Sequence, residues 1–150
     1  MNRKISLQPL QAHNWEKCAA LTLHSHQDSY LQSNLFVLAR SLFEPIQIFA
    51  ILEDQEVVGM LALYCKGQIL WISHLMIGQQ YQGRGIGSQV LKLIPKEAIS
   101  KRSFVEMRAG VLEGNLTGQN FFRRAGFVLQ GQLPDGELIF CHSGAAPDKN

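Results

Sequence analysis

"HLMIGQQYQGRGIGSQVLKLI", His74 to Ile94, passes from an apolar, strand-like stretch through Gly83, Gly85 and Gly87 into a segment whose apolar residues recur at helical spacing. Glycines alternating with Gln82, Arg84 and Ile86 at a strand-to-helix junction let successive backbone N–H groups turn toward one centre with no Cβ in the way. The first helical turn adds free N–H groups and the positive end of the helix dipole. Such a junction holds an anion, most naturally a phosphate. Spacing excludes two common arrangements. In G-x-G-x-x-G, counted from Gly83, Ser88 stands where the third glycine belongs; in a P-loop, counted from Gly78, Arg84-Gly85 replaces the required Lys and Ser or Thr. The pattern present is Q-x-x-G-x-G, formed by Gln82, Gly85 and Gly87.

Upstream of the loop, "IQIFAILEDQEVVGMLALYCKGQILWISHLMI" is rich in β-branched and aromatic residues and is broken at Glu53–Gln55 and at Lys66-Gly67, which predicts three consecutive antiparallel strands. Before them come a short strand at Ile5–Leu10, a helix over Trp15–Leu23 capped by Asn14, and a helix over about Leu31–Phe43. In the second helix Leu31, Leu35, Leu38 and Leu42 form a stripe expected to lie in the core. Downstream, a helix is expected from Ile86 to about Lys101, kinked or interrupted by Pro95. "SFVEMRAGVL" reads as a strand, "NLTGQNFFRRAGF" as a helix closed by Gly126 in a left-handed cap, and the remainder as a hairpin turning at Pro134-Asp135-Gly136. The expected fold class is α/β (mixed α+β): a mixed, mostly antiparallel central sheet of about six to seven strands flanked by about four helices.

A chain of 150 residues, 46% hydrophobic, suffices for one core, so residues 1–142 are expected to form a single domain and 143–150 a loose tail. The formal charge of +2 contains no like-charged block, which argues against nucleic acid as a partner. No apolar run is long enough to cross a bilayer, and Cys18, Cys65 and Cys141 are scattered away from any zinc-like spacing. Reduced thiols, no metal, no membrane and a cytoplasmic location are the expectations.

The loop segment "LMIGQQYQGRGIGSQVL" and the later "NLTGQNFFRRAGF" together carry a resemblance. The second has an Asn, a small residue three on, an aromatic at the eighth position and a terminal Gly-Phe. From Ile5 to about Cys141 the chain resembles the Gcn5-related N-acetyltransferases (GNAT). With "DSYLQSNLFVLARSLFEP" it looks most like the bacterial spermine/spermidine (diamine) acetyltransferases. The resemblance implies acetyl-CoA as cosubstrate, a small-molecule amine as acceptor, no metal, and pairing as a homodimer. It implies that the backbone of Leu75, Met76 and Ile77 meets the pantetheine arm as an added strand would. Gln82, Gly83, Arg84, Gly85, Ile86, Gly87 and Ser88 would hold the pyrophosphate, and Asn115 would meet the arm or cap its helix. Tyr30, Ser33 and Asn34 would wall the acceptor site. Glu44 and Glu53 would attract a polyamine.

Phe122 departs from the family pattern, which implies a Tyr there as general acid to the departing sulfur. For a thiol of pKa ~8.5, unprotonated release at pH 7 forgoes about 2 kcal/mol; an alkylamine of pKa ~10.4 is neutral in about one molecule in 2,500, a deficit of roughly 4.6 kcal/mol. Removing the acceptor's proton is therefore the greater need. His74 has the intrinsic pKa for it and heads the strand that grips the arm. Tyr81 reads as a packing residue of the turn. Two rivals share the cofactor half: a transferase for protein N-termini, lysines or an antibiotic amine, and a non-catalytic acyl-CoA sensor.

Overall fold

The computed structural model describes residues 3–27, 30–97 and 104–143. Its elements follow the expected order: β1 (Ile5–Pro9), α1 (Trp15–Ala20), α2 (Asn34–Arg40), β2 (Gln47–Glu53), β3 (Glu56–Lys66), β4 (Ile69–Ile77), α3 (Ile86–Glu97), β5 (Glu106–Val111), α4 (Leu116–Arg124), β6 (Val128–Gln132) and β7 (Leu138–His142). The strands form one seven-stranded sheet in the order β1-β2-β3-β4-β5-β7-β6. Every neighbouring pair is antiparallel except β4 and β5, which α3 connects as a parallel crossover.

Apolar residues cover the sheet on both faces. Ile86, Val90, Leu91 and Ile94 of α3, with Phe122 of α4, pack against Leu61, Leu63, Leu70 and Ile72. Cys18 of α1 and Val37 of α2 pack on the other face against Ile48, Ala50, Met60, Ala62 and Met76. Val90 and Ile94 are fully buried, and each such side chain contributes about 1.5–3 kcal/mol. The tip of the last hairpin falls at Pro134-Asp135-Gly136: Gly136 has φ +98° and donates its N–H to Leu133 O (2.9 Å). Gly126 closes α4 at φ +94°.

Several sequence expectations are corrected. The leucine stripe of α2 is core in half of its positions: Leu31 and Leu38 pack partly buried against the core, while Leu35 is 62% and Leu42 78% exposed, and the fully buried positions of the helix are Asn34 and Val37. The helix has seven residues, so Leu31 precedes it and Leu42 follows it; its register is set by Asn34, whose polar groups are satisfied inside. Asn14 stands at the cap position of α1, but its Oδ1 accepts from Gln11 N (2.8 Å) and its Nδ2 donates to Gln8 Oε1 (3.0 Å), away from the helix. α3 continues through Pro95 to Glu97; near a C-terminus the missing N–H removes a single bond, while the apolar face holds the helix on the sheet. The rest of that expected helix, at 98–101, and the tail at 144–150 lie outside the described residues.

Candidate functional site

β4 and β5 pair over Ile69–Ile72 and Glu106–Ala109 and then part. Beyond that point β5 pairs with β7 alone, and the outer edge of β4 from Ser73 to Ile77 faces a gap. In the same place β4 carries a bulge: Ala62 pairs with His74 and Leu63 with Ile72, leaving Ser73 without a partner on β3. Past the bulge, Gly78 N donates to Val58 O (2.8 Å), so by the alternation of a strand Met76 and His74 turn their backbone groups to β3. Leu75 then turns its N–H and C=O to the gap, as does Ile77. The Ile77 carbonyl is taken by Gln82 Nε2 at 2.9 Å. Of the three residues expected to meet an arm through their backbone, Leu75 and Ile77 have the orientation and Met76 does not.

At the end of β4 the chain passes through a turn at Gln79–Tyr81 and reaches the glycine loop. Gly83 (φ +81°) and Gly85 (φ +78°) occupy the left-handed region, and nothing lies within 4 Å of where a Cβ would stand on either. The first N–H of α3 taken by a preceding carbonyl is that of Gln89, which donates to Gly85 O (3.2 Å). No backbone acceptor takes the N–H groups from Gly83 to Ser88 among the described residues, and the space beside Gly83 and Gly85 is open at this helix N-terminus. Free N–H groups at such a helix start form a cradle suited in its chemistry to an anion. Gly87 serves a packing need as well: a Cβ there would lie 3.0 Å from Phe121 Cε1, so its absence admits an α4 ring against the first turn of α3. Phe121 was not singled out by sequence reading; the glycine facing it was the available signal.

Arg84 does not lean into this cradle. Its guanidinium pairs with Glu53 Oε1 (3.2 Å) and lies over the Tyr81 ring at 5.7 Å. Glu53, only 7% exposed, also binds Arg3 (2.9 Å), and Glu44 is held by Arg40 (2.9 Å). Neither glutamate is thus left to attract a polycation, a correction to the sequence expectation. Tyr81 is a packing residue, buried, with its hydroxyl donating to Glu56 Oε2 (2.7 Å).

On the β5 side of the gap, Asn115 caps α4, its Oδ1 accepting from Gly118 N (3.0 Å). Phe122 is buried, edge-on to Phe127 (5.0 Å between centroids) and near Phe140 (6.5 Å). Aromatic packing is what this position supplies in place of a hydroxyl.

His74 is 4% exposed on the α2 side of β4. Asn34 Nδ2 donates to Cys18 O (2.9 Å) and to Met76 Sδ (3.3 Å), so its Oδ1 is the acceptor for His74 Nε2 at 2.9 Å. Nε2 therefore carries the proton. Burial, and then the positive charge of Arg40, push the imidazole down to about 4. A ring so reluctant to become charged is a poor proton acceptor, and the expected role of His74 as the base does not suit its surroundings. The expected trio of Tyr30, Ser33 and Asn34 is likewise divided. Ser33 caps α2 by accepting from Phe36 N (3.1 Å), and Asn34 is buried against His74. Tyr30 lies against the connection between β5 and α4: its ring edge is 3.4 Å from the position of a Cβ on Gly114. No group of three His, Cys, Asp or Glu side chains suited to a metal gathers among the described residues. No described helix is long and apolar enough to cross a membrane.

A family profile described as "Acetyltransferase (GNAT) family" matches residues 10–127. The chain is 24% identical over 139 residues to the spermine/spermidine N(1)-acetyltransferase of Bacillus subtilis (strain 168), covering 82% of this chain and 89% of that one. Among solved structures it is similar to the aminoglycoside acetyltransferase AAC(6')-Ib in complex with coenzyme A, with a TM-score of 0.77 at 14% identity, covering 95% of this chain and 96% of that one. It is also similar to the PaiA N-acetyltransferase from Thermoplasma acidophilum in complex with coenzyme A, with a TM-score of 0.70 at 18% identity, covering 93% and 99%. At such identities the structures speak for a shared fold.

Proposed function

Since this chain belongs to the acetyltransferase (GNAT) family, with acetyl-CoA as its cosubstrate, we propose that it carries the acetyl group to the nitrogen of a small primary amine by direct attack in a ternary complex, with a polyamine as the first acceptor to try. The observation that supports this best is the parting of β4 from β5 beside an open cradle of free N–H groups. Acetyl-CoA supplies an activated acyl carbon. The cradle from Gly83 to Ser88 would hold its diphosphate, and the gap-facing amides of Leu75 and Ile77 would hold the arm. Backbone donors at the bulge would steady charge developing on the acyl oxygen, the kind of fixed dipole that lowers a barrier most. Holding both reactants at once supplies much of the remaining rate.

The resemblance to a spermine/spermidine enzyme is what favours a polyamine; the engaged state of Glu44 and Glu53 supplies no attraction for one. The deciding experiment mixes the protein with acetyl-CoA and, separately, spermine, spermidine, an aminoglycoside, a lysine peptide and simple alkylamines, and follows free thiol. Release with spermine or spermidine in preference to the others supports the polyamine reading. Release with another amine alone moves the acceptor class and keeps the reaction. Calorimetric binding of CoA without thiol release from any acceptor would replace the enzyme with an acyl-CoA sensor.

A further inference from the structure

The β2–β3 hairpin and the segment leading into the glycine loop meet at two carboxylates. Glu53 ends β2, Glu56 begins β3, and the two are register partners across the turn. Like charges so paired repel, and each is answered from the segment that follows β4. Tyr81 donates its hydroxyl to Glu56 Oε2 (2.7 Å) and accepts from Gln80 Nε2 (3.0 Å). Arg84 Nη1 donates to Glu53 Oε1 (3.2 Å), with the guanidinium lying over the Tyr81 ring. The hairpin is itself fixed on the chain entering β1. Asp54, at φ +57°, donates its N–H to Lys4 O (2.7 Å) and accepts from Lys4 N through Oδ1 (3.1 Å), while Arg3 Nη1 reaches the same Glu53 oxygen (2.9 Å). The Glu53 side chain is 7% exposed and that of Arg84 45%, so the carboxylate is the anchored member of the pair and the arginine is brought to it. Arg84 is also the one side chain between Gly83 and Gly85, both in the left-handed region. Glycines have the most backbone freedom to lose, and a loop left free would lose it at the moment of binding. A clamped side chain between them removes that freedom beforehand.

We propose that Glu53 is a positioning residue for the cosubstrate: by holding Arg84 it presets the glycine loop for a diphosphate, without itself touching the ligand. The proposal rests on the reading of that loop as the diphosphate site of acetyl-CoA. It assigns Arg84 to Glu53 rather than to a phosphate, and the two assignments predict opposite signs. Were Arg84 a phosphate ligand, loss of the Glu53 charge would free the guanidinium and tighten CoA binding. With Arg84 as the clamped residue, the same loss loosens the loop and weakens binding.

The test is calorimetry with CoA on the full chain as wild type, Glu53→Gln, Arg84→Ala and the double variant. Each single change should weaken CoA binding about tenfold, the scale of fixing the backbone of one residue. The double variant should bind no more weakly than the worse single, because both changes break one contact. Arg84→Lys, which keeps a cation for the carboxylate, should bind about threefold more tightly than Arg84→Ala where Glu53 is present, and no more tightly in the Glu53→Gln background, a dependence that a general loss of stability would not produce. Glu53→Asp, which keeps the charge but draws it back from the loop, repeats the test should Glu53→Gln not fold. A readout free of ligand is trypsin cleavage after Arg84, followed by mass spectrometry, which release of the clamp should speed about fivefold. Equal or tighter CoA binding by Glu53→Gln, additive losses in the double variant, or an unchanged rate of cleavage after Arg84 overturns the proposal while the acetyl-CoA reading stands. A wild type that binds no CoA overturns that reading and this proposal with it.

Discussion

The buried His74 makes the stability of the fold depend on pH by a predictable amount. Its pKa in the fold is about 4, against 6.5 ordinarily, because burial and then Arg40 oppose its charged form. The unfolded chain takes up the proton at the ordinary value. The stability that a neutral His74 permits is therefore complete above pH 6.5 and is lost as pH falls toward 4. At 1.36 kcal/mol per pKa unit the limiting loss is about 3.4 kcal/mol, and the part falling between pH 7 and pH 5 is about 2 kcal/mol. His74→Gln keeps an N–H donor for Asn34 Oδ1 and removes the titration. Urea unfolding of both proteins at pH 7 and pH 5 isolates this contribution, since carboxylates and exposed histidines are common to both. Wild type should lose about 2 kcal/mol more than the variant, or about 4–8 °C more in Tm for a domain of this size. Parallel pH dependence in the two proteins would refute the reasoning. The same logic expects His74→Gln to retain turnover within about tenfold at pH 7, because a group with so low a pKa contributes little as a base. A loss of a thousandfold with stability intact would restore His74 as the proton acceptor.

Other consequences can be measured on the same material. Gly85→Ala places a Cβ at φ +78° and in the mouth of the cradle, so it should cost about 1–2 kcal/mol in stability and weaken CoA binding at least tenfold by calorimetry; unchanged affinity would mean the loop is not the diphosphate site. Phe122→Tyr should change turnover by no more than about a hundredfold, since thiol protonation is the smaller of the two proton costs; a far larger gain would show that the missing acid limits the reaction. With no strong base in the described site, log kcat/KM for an alkylamine should rise with unit slope from pH 7 to about 9, following the free amine; a flat profile over that range would reveal a base in the site.

The sequence discloses the cofactor half of this protein better than the acceptor half, and the reason is physical. A glycine loop works through its backbone, so Gly83 and Gly85 announce their conformation, and the observed φ values agree. The alternation of apolar runs likewise gave all seven strands in their observed order. Acceptor-side residues act through side chains whose partners lie far along the chain, and local patterning cannot choose among those. Asn34 reads in the sequence as a wall of the acceptor site, but bonds formed with Cys18 and His74, 16 and 40 residues away, draw it inward, and Leu35 and Leu42 are left outside. Glu44 and Glu53 looked like free charges, yet Arg40, Arg3 and Arg84 occupy them. Phe121 gave no signal of its own, since an aromatic in a helix reads as core wherever it points.

The bulge at Ser73 explains why one strand can serve two sides of the sheet. Before it, Leu70 and Ile72 belong to the core beneath α3; after it, Met76 belongs to the core beneath α2, and His74 bonds to Asn34 on that same side. An unbroken strand would keep all four even-numbered positions on one face. The extra residue inverts that assignment within a single step, at the very point where pairing with β5 ends. It thereby turns the backbone of Leu75 and Ile77 to the gap while leaving their side chains packed beneath α3. Gap-facing backbone groups and an apolar floor then coincide without any loop having to insert. If the glycine loop holds the diphosphate as proposed, the reactive end of the bound molecule would lie beside the point where one residue of β4 has no partner on β3.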